Sequence, residues 1–112
     1  MAKNLFKHGE TITIVAGATI VAGRLYVLGD FIGIALNGGV SGTPITYDIS
    51  GKVWTLTKNA GEAWTVGAKL YWDGTNFRLT TTASGNTLVA NAYAAAASAD
   101  VVGVAKMRAH LA

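Results

Sequence analysis

The sequence predicts an all-β fold, a small antiparallel β-barrel or jelly-roll-like sandwich with short loops and at most one short helix. Two observations carry this. Fourteen glycines and a single proline punctuate 112 residues, and short β-branched or aromatic runs lie between them, the pattern of strands joined by tight turns. Hydrophobic residues make up 51% of the chain and charged residues only 13%. That apolar excess asks for a core plus a partner to cover what the core cannot.

The first run, Thr11-Ile12-Thr13-Ile14-Val15, alternates as a strand with one wet face does. Residues 24–28 and 31–36 are nearly continuous apolar runs and read as central strands buried on both faces. Asn37-Gly38-Gly39 ends that block. Residues 44–49 and 52–57 flank Ser50-Gly51 and read as a hairpin with a two-residue turn. A second hairpin joins residues 69–72 to 77–80 through Asp73-Gly74-Thr75-Asn76. Ser84-Gly85-Asn86 turns the chain into Thr87-Leu88-Val89, and the last strand is placed at 101–110. The alanine-rich stretch 91–100 has helical propensity but few large residues to anchor a helix, so a loop with at most a turn or two of helix is expected.

Ala16-Gly17…Gly23-Arg24-Leu25-Tyr26 resembles Ala60-Gly61…Gly67-Ala68-Lys69-Leu70-Tyr71 once one insertion is allowed. Both read as a turn leading into a strand, used twice in one barrel. The length suits one domain. Residues 1–9 are read as an N-terminal arm and 10–112 as a single β domain. The N-terminus is polar and interrupted, a poor signal peptide, and Arg24, Asp30 and the glycines break the apolar stretch 12–36, so no membrane span is expected.

Catalytic chemistry finds little to work with. There is no cysteine, so disulfides and thiolate-bound metals are excluded. The two histidines, His8 and His110, lie near opposite ends of the chain, and no serine sits in a G-x-S-x-G elbow. Glu10, Asp30, Asp48, Glu62, Asp73 and Asp100 each fall in or beside a predicted turn or strand end, where capping explains them. The glycine loops at 29–33 and 37–39 lack a P-loop lysine. Lys106 lies inside a predicted strand rather than at the hairpin tip that a biotin or lipoyl carrier needs. No enzyme, metal site or cofactor is expected. The net charge of +3 is mild and its bases are scattered, which favours an acidic protein surface over nucleic acid.

Binding residues are therefore sought on the surface. Lys106, Arg108 and His110 share one face of the last predicted strand, either a solvated face or a basic stripe for a partner. Leu5, Phe6 and Lys7 form either a frayed terminus or an arm that docks on a neighbour. Trp54 alternates with threonines and belongs to the core, whereas Trp64 lies in a loop-like segment and suits core and interface equally.

Several segments, in order and spacing, resemble the capsid cement, or decoration, proteins of tailed bacteriophages and prophages. They are Met1-Ala2-Lys3-Asn4, Gly9-Glu10-Thr11-Ile12-Thr13, Gly29-Asp30-Phe31-Ile32-Gly33-Ile34-Ala35, Ala60-Gly61-Glu62-Ala63, Gly67-Ala68-Lys69-Leu70-Tyr71-Trp72-Asp73, Thr80-Thr81-Thr82 and Gly85-Asn86-Thr87-Leu88. The alanine run before Asp100 and the closing basic strand complete the resemblance, which covers almost the whole chain. Where the family often has Ile-Gly after the Gly-Asn turn, this chain has Val89-Ala90 after Leu88. The resemblance implies a non-enzymatic protein, made in the host cytoplasm, that sits on the outer surface of the virion. It would bind across major capsid protein subunits as a homo-oligomer, dimer or trimer, and stabilise the head. A tail or baseplate β-domain is the alternative, and a carbohydrate-binding module using Trp64 and Trp72 is a third reading.

Overall fold

The computed structural model describes residues 9–108. Among them there are nine strands and no helix. They are β1 (Thr11–Val15), β2 (Leu25–Leu28), β3 (Phe31–Ala35), β4 (Pro44–Asp48), β5 (Val53–Thr57), β6 (Lys69–Asp73), β7 (Arg78–Thr80), β8 (Thr87–Ala92) and β9 (Val102–Met107). They form a four-stranded sheet of order β1-β4-β3-β2 and a five-stranded sheet of order β5-β9-β8-β6-β7, with every ladder antiparallel. The result is an all-β sandwich. The two ends of the larger sheet meet only at one parallel bridge, Lys58 to Leu79, so the barrel expected as an alternative does not close.

Several expectations are corrected. Ser50-Gly51 does not turn a hairpin. The Ile49 N–H donates to Glu10 beside β1, while the Lys52 carbonyl accepts from Met107 at the end of β9, so the two-residue turn carries the chain from one sheet to the other. A two-residue turn between apolar runs has the same local chemistry in either role. The strand at 24–28 is an edge strand, β2, with only Leu25 fully buried. The expectation of burial on both faces holds for β3, where Ile32 and Ile34 face one way and Gly33 and Ala35 the other. The alanine-rich stretch is a loop without helix, within what was expected, except that Asn91 and Ala92 extend β8; Ala96 bridges to Trp64. The last strand stops at Met107, and His110 lies outside the described residues.

The hinted internal similarity extends to the whole fold. Matching β1, β2, β3 and β4 to β5, β6, β8 and β9 gives the same strand order in both sheets, with β7 as an addition to the second. The backbone bonds repeat too. Ile20 and Gly39 exchange bonds of 2.8 and 3.1 Å, and Trp64 and Ala96 exchange bonds of 2.9 and 3.1 Å. Gly23, at φ 82°, donates to Ala35, and Gly67, at φ 86°, donates to Ala92. That left-handed conformation suits a residue without a Cβ. Leu36 donates to Thr46, and Tyr93 donates to Val104. These pairs align Arg24 with Ala68 and Tyr26 with Leu70. The Leu-Tyr likeness seen in the sequence is therefore one residue out of register, which in a strand means the opposite face.

The larger core lies between the sheets. It joins Leu25, Ile32 and Ile34 of the smaller sheet to Leu56, Trp64, Leu70, Trp72, Leu79, Val89 and Met107. Val89 is the extra residue of a bulge opposite the Leu70/Tyr71 step, and it is fully buried. A smaller core of Ala16, Ala35, Ile45, Tyr47 and Ile49 covers the other side of the smaller sheet. Tyr26 packs edge-on against Tyr47 there, with ring centroids 6.0 Å apart.

Candidate functional site

The carboxylates are mostly committed to holding the chain in place. Asp48 accepts from the Ser50 N–H and hydroxyl and from Lys52, whose Nζ also lies 3.5 Å from Glu10. This fixes the turn between the sheets. Burial raises the Asp48 pKa, but the Lys52 and Ser50 hydrogen bonds outweigh it and the net direction is down. Asp73 accepts from Thr75 and Asn76 in the β6–β7 turn, and Asp100 accepts from the Ala97 N–H. These are the caps the sequence suggested.

Glu62 does more than cap its own turn. Its carboxylate accepts from the Thr80 hydroxyl at 2.8 Å, the Thr81 N–H at 2.9 Å and the Thr82 hydroxyl at 3.3 Å. Glu62 in the family-like Ala60–Ala63 segment and the Thr80–Thr82 run are thus one clip. Burial raises the Glu62 pKa, but bonds from Thr81, Thr80, Asn59 and Thr82 together outweigh it and leave it below the ordinary carboxylate range. A depressed folded pKa gives stability that is present in full above the ordinary pKa and is lost as pH falls through the folded value. Thermal melts from pH 7 to pH 3 check this. Glu62→Gln is expected to melt lower than the parent at pH 7 and to lose less on acidification, and parallel curves would refute the clip. Asp48 keeps its own share of acid sensitivity in both proteins, because its pKa is lowered as well.

Among the described residues, the outer face of the larger sheet combines exposed apolar and basic side chains. One row of directly opposed residues runs Lys69, Asn91, Lys106, Val53. The next holds Tyr93, Val104 and Thr55, and a third holds Val102 and Thr57. Val53, Tyr93 and Val102 are 40%, 60% and 52% exposed. β5, β8 and β9 contain no Asp or Glu, so the face carries only positive charge along these strands.

The repeat explains which part of this face is unusual. In the smaller sheet the row matching Lys69, Asn91, Lys106 and Val53 is Leu25, Ile34, Asp48 and Thr11. Leu25 and Ile34 are buried against the larger sheet, whereas their counterparts Lys69 and Asn91 are polar. The β6–β8 side of the outer face is thus adapted to water. The β5–β9 side instead exposes the apolar side chains of Val53, Val102 and the neighbouring Tyr93.

Of the sequence-predicted residues, Lys106 lies on this face. Its Nζ donates to the Gly51 and Met107 carbonyls, so it also fastens the turn between the sheets. Arg108 follows β9, half-buried, with its Nε unpaired among the described residues. Trp64 is corrected: at 2% exposure it is a core residue, lying over Gly103, and not an exposed anchor. Trp72 is buried as well, so the two tryptophans offer no stacking platform for a sugar. Leu5, Phe6 and Lys7 lie outside the described residues. Val53 and Val102 were missed, although the alternation that sends Trp54 and Leu56 inward sends Val53, Thr55 and Thr57 outward. Tyr93 was hidden in the alanine run. Among the described residues no group of three or more His, Asp or Glu could hold a metal ion, and no helix is long and apolar enough to cross a membrane.

Fold and surface define a β-sandwich whose notable features are faces and edges rather than a reactive centre. A family comparison makes the assignment specific: the sequence model described as phage cement protein matches residues 6–108. The chain belongs to the phage cement protein family, a structural, non-catalytic family whose role implies attachment to capsid proteins in the virion. No curated protein and no solved structure matches the chain.

Proposed function

We propose that this protein cements a phage head by laying the β5–β9 side of its outer face on major capsid protein, across subunit joints on the outside of the shell, as a homo-oligomer. The observation that carries this is the β5–β9 side, whose strands hold no Asp or Glu and on which Val53, Val102 and Tyr93 stay exposed while the neighbouring positions 69 and 91 are polar. Apolar area supplies contact energy, and Lys106 adds a positive charge suited to an acidic shell. Leu5, Phe6 and Lys7 of the arm, together with Arg108, are proposed as further contacts. Many modest contacts, repeated over a lattice, hold strongly together.

Mixing purified protein with undecorated capsids and imaging them tests the reading. Val53→Asp combined with Val102→Asp is expected to lower capsid affinity at least about tenfold, the effect of roughly 1.4 kcal/mol. Val66→Asp, at a still more exposed loop position, is expected to leave it unchanged. Deleting residues 1–8 is expected to weaken attachment and spare the fold. Full occupancy by the Val53/Val102 double variant would remove this face from the mechanism. Fractionation of particles separates the tail or baseplate alternative, which requires the protein on tails and not on heads.

A further inference from the structure

We propose that β1 is a self-pairing edge, through which two copies join by antiparallel β1–β1 pairing about a two-fold axis at Thr13. This names a contact for the homo-oligomer of the proposed function and rests on that part of it alone.

The backbone sets up the contact. Among the described residues, β1 is an edge strand that pairs only with β4. The bonds flanking this ladder run from Ile49 N–H to the Glu10 carbonyl and from Ala16 N–H to the Thr43 carbonyl. In an antiparallel ladder the bonded positions alternate, so residues 10, 12, 14 and 16 spend their backbone groups on β4. The N–H and C=O groups of Thr11, Thr13 and Val15 point away from it. Natural edges are usually blunted by charge, proline or a bulge. β1 has none of these among Thr11, Ile12, Thr13, Ile14 and Val15, and both Ile14 and Val15 are exposed. The other edges are less open. β2 borders a cleft of about 470 Å³ whose far wall includes Trp72 and Gly85 to Thr87. β5 runs into the Lys58–Leu79 bridge, and β7 has three residues.

The occupant follows from the register and the charge. The three outward positions are symmetric about Thr13, so a second β1 laid antiparallel would meet Thr11 with Val15, Thr13 with Thr13 and Val15 with Thr11. All outward backbone groups are then matched. Ile12 and Ile14 of each copy become neighbours on the side of the smaller core, which covers the exposed Ile14. No charged side chain lies within β1 to repel its twin, and the Glu10–Lys52 pair at one end is neutralised within its own copy. A five-residue seam is smaller than the roughly 1,200–2,000 Å² of stable complexes. It therefore suits copies already concentrated on a lattice.

The chain has no cysteine, so a single introduced thiol reports the contact. Directly opposed bonded residues have Cα atoms about 5.5 Å apart, inside the disulfide range of about 4.4–6.8 Å. Thr13→Cys is expected to form a reducible dimer on mild oxidation at least about tenfold faster than Thr55→Cys at the centre of β5. Thr11→Cys and Val15→Cys should crosslink when mixed, faster than either alone, which keeps the test open if Thr13→Cys folds poorly. Crosslinking of Thr13→Cys no faster than that of Thr55→Cys, with no mixed Thr11/Val15 product, overturns the seam. Capsid binding by the same reduced protein then tells whether the cement reading stands without it.

Discussion

Adding one methyl group at Gly103 is expected to destabilise the protein by about 3 kcal/mol, at the upper end for an overpacked core. A Cβ there would lie 2.3 Å from Cζ3 of Trp64 and under 3 Å from two further ring carbons. The ring is enclosed and cannot swing clear. The repeat shows what the pair replaces. Trp64 corresponds to Ile20, and Gly103, opposite Leu56, corresponds to Ile45, opposite Ile14. One half fills the space with two medium side chains and the other with one very large side chain and none. Trp64→Leu alone is expected to cost about 3 kcal/mol through the cavity it leaves. The double variant Trp64→Leu/Gly103→Ala should cost well under the sum, because each change relieves the other. Denaturant titration of the four proteins measures the coupling. Strict additivity would mean that the two positions do not share one space. Each single change should lower the melting temperature by roughly 10–20 °C.

Lys58→Met is expected to cost about 2–4 kcal/mol, an unusual loss for replacing a lysine by an apolar residue of similar length. Lys58 is 2% exposed, and its Nζ donates to the carbonyls of Asn59 at 3.1 Å, Asp100 at 3.2 Å and Ser98 at 3.4 Å. All three ammonium protons are used on backbone acceptors, and the charge also lies 5.8 Å from the Trp64 ring centroid. Methionine would leave the three carbonyls facing an apolar chain, and each unpaired acceptor is costly. Urea titration, with an amide-exchange readout over residues 97–101, should show both a lower midpoint and local loosening. An unchanged midpoint would mean that water replaces the ammonium without penalty.

Much of the fold was legible because alternation and turn chemistry act locally. Thr11–Val15 and the hairpin around Asp73 to Asn76 formed where their residues called for them. What failed were choices that depend on distant partners. Nothing near Ser50-Gly51 tells whether the next strand pairs with the last one or crosses to another sheet. That is decided by Glu10 on one side and Met107 on the other. Trp64 reads as a loop residue because its partner is Gly103, a glycine that looks like any other punctuation. The repeat was half visible through Gly23 and Gly67, and then obscured by a Leu-Tyr coincidence one residue out of step. The proposed binding face was the least legible. Lys106 stood out by charge, whereas Val53 and Val102 enter the proposal by their exposure among the described residues, and exposure is settled only by packing.

The exchange of Leu25 and Ile34 for Lys69 and Asn91 has a consequence beyond the single chain. The smaller sheet rests its Leu25–Ile34 side on the larger sheet's core. The same side of the larger sheet, had it stayed greasy, would invite the next molecule to stack in the same sense, and that stack has no natural end. An ammonium and a carboxamide at those two places would have to give up their water before such a stack could grow, a cost that opposes fibre growth.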